Sequence, residues 1–146
     1  MCGIVGYVGR RNARDVIIHG LEILEYRGYD SAGLAIAEGG RISVVKKTGY
    51  VARLAKATER MGGGCGIGHT RWATHGAPSE INCHPHTAGK FTVVHNGIIE
   101  NFAVIKRRLA SKGRKFLSDT DTEVAACLMD GLYNGEPPVA LAAAMI

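Results

Sequence analysis

The chain has 146 residues, enough for about one domain, and 46% of them are hydrophobic, enough for one core. Its net charge of +5 is mild and scattered, and aromatic residues make up only 6%, so a basic groove with stacking rings for nucleic acid is not expected. No apolar run reaches the roughly 18–20 residues that span a bilayer, and the N-terminus lacks the charged-then-apolar layout of a signal peptide; a soluble, cytoplasmic chain with no membrane partner is the expectation.

In chain order, "GIVGYV" (3–8) reads as a short buried strand. Residues 13–28 read as a helix, with Ile17, Leu21 and Leu24 at helical spacing, Ile18 beside them and Gly28 placed to end it. Residues 33–47 read as a hairpin turning at Gly39-Gly40. A short helix over 51–61 is closed by the glycines at 62–64. Residues 65–76 begin as a strand and become a polar loop, and 91–97 is a second buried strand ending in a polar turn. Phe102, Ile105 and Leu109 predict a helix over 101–113, with Gly113 as its stop. "KFLS" (115–118) reads as a short strand.

Residues 119–135 carry a helix-start signature, with Asp119, Thr120 or Asp121 able to cap and Glu123 suited to the first turn. A last helix starts at 136 with proline near its first turn, and the chain then stops inside an apolar pattern, which predicts a C-terminally truncated domain. Hairpin-linked strands mixed with helices, without strict β-α-β alternation, predict an α+β fold with a largely antiparallel sheet.

Four cysteines are present, at 2, 65, 83 and 127, and none belongs to a C-x-x-C pair, so no disulfide framework is expected. Cys2 follows the initiator directly. If Met1 is removed, Cys2 carries both a thiol and a free α-amine of pKa about 7.7–8.0, and the amine can serve as the base for the thiol beside it. The other reading is a small buried cysteine at a strand start. Asn96 and Gly97 follow a strand; they are either a plain Asn-Gly turn or a pair of donors toward a developing negative charge.

"HTRWATHG" (69–76) gathers Arg71, Trp72, Thr74 and His75 in one stretch, and arginine can grip a carboxylate with two parallel hydrogen bonds. Asp121 is either a helix cap or the holder of a substrate ammonium. Cys65, His69, His75, Cys83, His84 and His86 are dense in potential ligands, but the paired spacing of a structural zinc site is absent and no metal is expected. The glycines at 62–64 lack the G-K-[ST] that would make them a phosphate loop.

Taken together and in order, "MCGIVGYVG", "EYRGYDSAG", "GHTRWATHG", "HPH", "VVHNGIIEN" and "SDTDTE" closely resemble the class II (N-terminal nucleophile) glutamine amidotransferase domain along essentially the whole chain. "RGYDSAG" and "HTRWATHG" are similar to the branch that makes glucosamine 6-phosphate. The resemblance implies an αββα sandwich, with residues 1–146 an incomplete glutaminase domain and the isomerase domain absent. It implies that Cys2 attacks the side-chain amide of L-glutamine and that Asn96 and Gly97 form the oxyanion hole.

In the same family pattern Arg71 binds the glutamine α-carboxylate, with Thr74 and His75 in the same loop, and Asp121 holds the α-ammonium. Trp72 matches the gate to an ammonia passage, and Arg27 positions the nucleophile. A thioester intermediate, ammonia transfer to fructose 6-phosphate on the missing domain, no cofactor, and a homodimer built mainly through that domain are further implications. Two alternatives stay open: a sibling amidotransferase such as amidophosphoribosyltransferase, or a silent fragment. Cys83 stands where the family usually has another small residue, and no role follows for it.

Overall fold

Strand β4, Cys65–Arg71, alternates glycines with bulkier side chains over its first half, and this pattern organises the first part of the molecule. The protein is described by a computed structural model over residues 2–72 and 77–136. It divides into two compact units, one comprising the chain up to Pro85 with Val94–Asn96, the other His86–Val93 with the chain from Gly97 onward.

The first unit holds β1 (Gly3–Val8), α1 (Ala13–Leu24), a 3-10 turn over Glu25–Arg27, β2 (Ser31–Glu38), β3 (Arg41–Thr48), α2 (Val51–Ala57) and β4. Its sheet has the order β1-β4-β2-β3, and every pairing is antiparallel. Helix α1 starts where the Asn12 side chain accepts the Arg14 backbone N–H, and Asp15 sits favourably in its first turn. It buries Ile17, Ile18 and Leu21 of the stripe read from the sequence, with Ala13 added and Leu24 only partly buried. This stripe packs with Ala32, Leu34 and Ile36 of β2 and with Val51 and Leu54 of α2.

The close approach of α1 to β4 requires glycine. A Cβ on Gly66 would lie 2.9 Å from Ile17 Cδ1, and one on Gly68 would lie 2.9 Å from Leu21 Cδ1. Side chains alternate across a strand, so Gly66, Gly68 and Thr70 face the helix while Ile67, His69 and Arg71 face the other way. That second face is not apolar. His69 is paired in register with Gly33 and Ser31 with Arg71, and the buried stretch Asn82, Cys83, His84 and Pro85 packs in the same unit. A Cβ on Gly33 would collide with the His84 carbonyl oxygen, so this glycine is what lets that stretch come down on the sheet.

The second unit holds the hairpin β5 (His86–Ala88) and β6 (Phe91–Val93), with α3 (Phe102–Ser111) and α4 (Asp121–Leu132). Its core gathers Ala88, Ala126 and Cys127, with Val93, Leu109 and Phe116 against them. Gly89 turns the hairpin at φ +52, and a side chain there would run into the Asp130 carboxylate. Thr120 is the N-cap of α4, its hydroxyl accepting the Glu123 N–H at 3.3 Å. Among the described residues no helix is long and apolar enough to cross a membrane.

Two local expectations change, and a third is not tested. "KFLS" is not a strand, because the N–H groups of Leu117 and Ser118 donate to the Glu123 carboxylate rather than to a neighbouring strand. The strand read over 91–97 is regular only over Phe91–Val93, and its partner His86–Ala88 is too short to leave a periodic signal. The helix read from 136 lies outside the described residues. Leu34 is fully buried between α1 and α2. Leu34→Ala is expected to lower unfolding free energy by about 2–5 kcal/mol in urea denaturation, and a loss below about 1 kcal/mol would contradict this core.

Candidate functional site

The pairing of β1 with β4 sets where the N-terminal thiol goes. Gly3 lies opposite Thr70, and its N–H donates to Thr70 Oγ1 at 3.1 Å. One residue earlier, Cys2 therefore reaches the end of β4, where its Sγ accepts the Trp72 backbone N–H at 3.3 Å and lies 3.8 Å from the Trp72 carbonyl oxygen. The "YRG" turn closes against the same strand end, with the Asp30 N–H donating to the Arg71 carbonyl at 3.3 Å. Gly28 permits this: a Cβ there would lie 2.7 Å from the Arg71 carbonyl carbon and 3.0 Å from the Trp72 nitrogen.

Asn96 is tied to the same terminus. Its Nδ2 donates to the Cys2 carbonyl oxygen at 3.0 Å, and its Oδ1 lies 2.9 Å from His69 Nε2. A carbonyl oxygen only accepts, so the amide NH2 must face Cys2 and Oδ1 must face His69. His69 Nε2 then carries the ring proton. The His69 ring is fully buried and stacks on His84 at 4.2 Å with an interplanar angle of 19°. Burial lowers its pKa to about 4, partly opposed by the hydrogen bond to Asn96 Oδ1, so the ring is neutral near pH 7.

Arg71 follows His69 by two positions on the same face of β4 and is only 4% exposed. Its Nη1 donates to the Ala77 carbonyl at 3.5 Å. Trp72 is half exposed, and its indole meets Tyr29 edge-on at 5.3 Å, with Tyr29 stacked on Tyr50 at 6.1 Å. Arg27 donates from Nε to the Tyr26 hydroxyl at 3.0 Å and lies over that ring. Thr74 and His75 lie outside the described residues. Cys83 is buried with Sγ donating to the His84 carbonyl at 3.2 Å, and burial pushes its thiol up to about 11, so it stays protonated and unreactive.

The second unit carries Gly97 and Asp121. Gly97 adopts φ +148, a conformation that L side chains rarely take, which accounts for glycine directly after Asn96. Asp121 opens α4, and its Oδ2 accepts the Ile99 N–H at 2.8 Å, so one carboxylate oxygen braces the turn that follows Gly97. Two residues on, Glu123 accepts from the N–H groups of Leu117 at 2.9 Å and Ser118 at 2.7 Å and from the Ser118 hydroxyl at 2.7 Å. Burial alone would raise the Glu123 pKa; these hydrogen bonds, helped by His86, carry it below the ordinary carboxylate value.

The first unit thus brings together Cys2, Arg71, Trp72 and Asn96, and it adds two residues that the sequence reading did not single out for this site, His69 and Gly28. His69 had a usable signal, since it precedes Arg71 by two on a strand and must share its face. Gly28 had, beyond ending a helix, only its place in the string "EYRGYDSAG". Among the described residues no group of three or more His, Cys, Asp or Glu side chains is placed to hold a metal ion.

The family described as "Glutamine amidotransferase domain" matches residues 56–134 of this chain. The chain is 53% identical over 140 residues to the glutamine–fructose-6-phosphate aminotransferase (isomerizing) of Thermus thermophilus, covering 93% of this chain and 23% of that protein. It is 55% identical over 140 residues to the protein of that name from Mycobacterium tuberculosis, and 56% over 134 residues to the one from Pyrococcus horikoshii, in each case covering 22% of the relative. It therefore spans less than a quarter of the length of these relatives. Among solved structures, the glutamine phosphoribosylpyrophosphate amidotransferase of B. subtilis superposes with a TM-score of 0.86 at 24% identity, over 99% of this chain and 32% of that one. A likeness at that identity establishes the fold, the N-terminal nucleophile α+β fold read from the sequence.

The Glu123 bonds give a prediction with a defined sign. Because the folded-state pKa lies below the ordinary 4.5, the carboxylate stabilises the fold above about pH 4.5 and loses that contribution as the pH falls through the folded value. Glu123→Gln is expected to cost about 1–3 kcal/mol in urea denaturation at pH 7. The gap from the parent protein should narrow at about pH 3. A gap that stays constant with pH would contradict this.

Proposed function

Because the chain belongs to the glutamine amidotransferase domain family, we propose that it hydrolyses the side-chain amide of L-glutamine through Cys2, giving glutamate and ammonia. The observation that carries this reading is the Asn96 amide, bonded to the Cys2 carbonyl by one of its two hydrogens and held from behind by His69. The second hydrogen on Nδ2 is then free to meet an oxyanion formed beside the Cys2 sulfur.

The chemistry follows from a terminal cysteine. With Met1 removed, the Cys2 α-amine takes the thiol proton and the sulfur attacks the amide carbon. The amide oxygen becomes an oxyanion that accepts from Asn96 Nδ2 and the Gly97 N–H. Collapse of this intermediate breaks the C–N bond, and the amine returns its proton to the leaving ammonia. Water, deprotonated by the same amine, attacks the thioester, and glutamate leaves with the thiol restored. The guanidinium of Arg71 is suited to grip the α-carboxylate, and the Asp121 carboxylate is suited to the α-ammonium. We assign Thr74 and His75 to glutamine binding alongside Arg71, Trp72 to the exit for ammonia, and Arg27 to the surroundings of the nucleophile.

The acceptor is proposed to be fructose 6-phosphate, with glucosamine 6-phosphate as the product, on an isomerase domain of a longer cytoplasmic, dimeric protein. Support comes from the relatives of 53–56% identity, all of which carry that acceptor in their names. The structural neighbour named for phosphoribosylpyrophosphate is only 24% identical, so the phosphoribosyl acceptor is the weaker reading.

Intact mass and labelling with 6-diazo-5-oxonorleucine test the nucleophile. The expected result is loss of one methionine and a single adduct at Cys2; an adduct at Cys65 or Cys83 overturns the assignment. Asn96→Ala is expected to cut kcat for glutamine by roughly 10²–10³ with Cys2 still open to alkylation. An unchanged kcat removes Asn96 from the site.

A further inference from the structure

His69 is a fully buried imidazole with no part in the proton transfers above. We propose that His69 is a positioning residue: its Nε2–H, bonded to Asn96 Oδ1 at 2.9 Å, dictates which end of the Asn96 amide faces the nucleophile. The inference rests on the glutaminase reading, and it names a residue which that reading leaves without a role.

An asparagine amide can turn over about its last side-chain bond with almost no change in shape. One orientation presents NH2 beside Cys2; the other presents the carbonyl oxygen, which would repel both the Cys2 carbonyl and any oxyanion. The Cys2 carbonyl oxygen favours the first by accepting from Nδ2 at 3.0 Å. That bond alone is worth only about 0.5–1.5 kcal/mol net, too little to hold a catalytic donor in one orientation nearly all the time. His69 adds a second, opposed constraint. Its Nε2–H bonds to Oδ1 in the productive orientation and would face NH2, donor against donor, in the flipped one.

For this device to work, the histidine itself must not turn over. Stacking on His84 at 4.2 Å and 19° fixes the ring plane, and the absence of a side chain at Gly33 admits the His84 carbonyl that brings this ring in. The other ring nitrogen, Nδ1, is buried without a hydrogen-bond partner, so the single proton of the neutral ring gains a partner only on Nε2. Position on the strand completes the arrangement: His69 projects from the same face of β4 as Arg71, so one rigid element carries both the proposed carboxylate clamp and the support for the oxyanion donor.

The test compares glutamine hydrolysis with alkylation of Cys2 by iodoacetamide, a displacement at carbon that forms no oxyanion. His69→Phe keeps a flat ring for the His84 stack but removes the donor. The expected result is a fall in kcat of about tenfold or more, with KM and the iodoacetamide rate within about twofold. His69→Gln, which restores an N–H, is expected to recover part of the loss. The double variant His69→Phe/Asn96→Ala is expected to be no slower than Asn96→Ala alone, because both remove the same donor. An unchanged kcat in His69→Phe, a parallel fall in alkylation, or additive losses in the double variant each overturn the proposal.

Should His69→Phe fail to fold, the imidazole nitrogen shifts of the parent protein decide: the neutral Nε2–H tautomer at pH 7 supports the proposal, and the Nδ1–H tautomer or a protonated ring overturns it. A parent protein that neither hydrolyses glutamine nor labels at Cys2 fails the glutaminase reading instead, and the tautomer measurement still reports on the amide orientation independently.

Discussion

Everything in the first unit depends on β4 being two surfaces at once. Toward α1 it shows Gly66 and Gly68, so the helix sits against the backbone and closes an apolar core. Toward the other side it shows His69 and Arg71, so the same strand presents the polar groups of the candidate site from a rigid support. Moving the pairing by one residue would put His69 and Arg71 into the core and glycines at the site. The interlocking of α1 with the two glycines is thus also what specifies the face that carries the candidate site.

Polar groups at the candidate site are held by specific partners, the buried Nδ1 of His69 excepted. The Cys2 thiol meets the backbone N–H and carbonyl of Trp72, and Asn96 is held by a carbonyl on one side and an imidazole on the other. His69 avoids an isolated charge by staying neutral, with a pKa near 4. Arg71 is almost fully buried, with its Nη1 donating to the Ala77 carbonyl. The second unit solves a related problem at a helix start: Glu123 gathers three donors from residues 117–118, and the segment that carries Asp121 into α4 is thereby fixed.

Glycines recur where the backbone around these residues must approach closely or turn sharply. Gly28 lets the turn after α1 lie against the Arg71 backbone, Gly33 lets the His84 stretch settle on the sheet, and Gly97 takes a φ of +148 that a side chain would strain. At each position the requirement comes from a neighbour distant in sequence or from a backbone angle, and not from the local hydrophobic pattern.

The sequence by itself determined much of this protein. Helical spacing in 13–28, the Gly39-Gly40 hairpin and the cap before Glu123 marked out α1, β2, β3 and α4, and six strings in order marked the family. These features are legible because they rest on periodicity, turn chemistry and residue identity, all local. "KFLS" was misread for the complementary reason: its apolar residues suit a strand, but its backbone donors are taken by a carboxylate further along the chain. The tertiary structure alone decided that Asn96 bonds to Cys2 and His69, that Gly28 abuts Arg71, and that Cys83 is an inert core thiol. Strand periodicity states which face a side chain takes; only the completed sheet states what waits on that face.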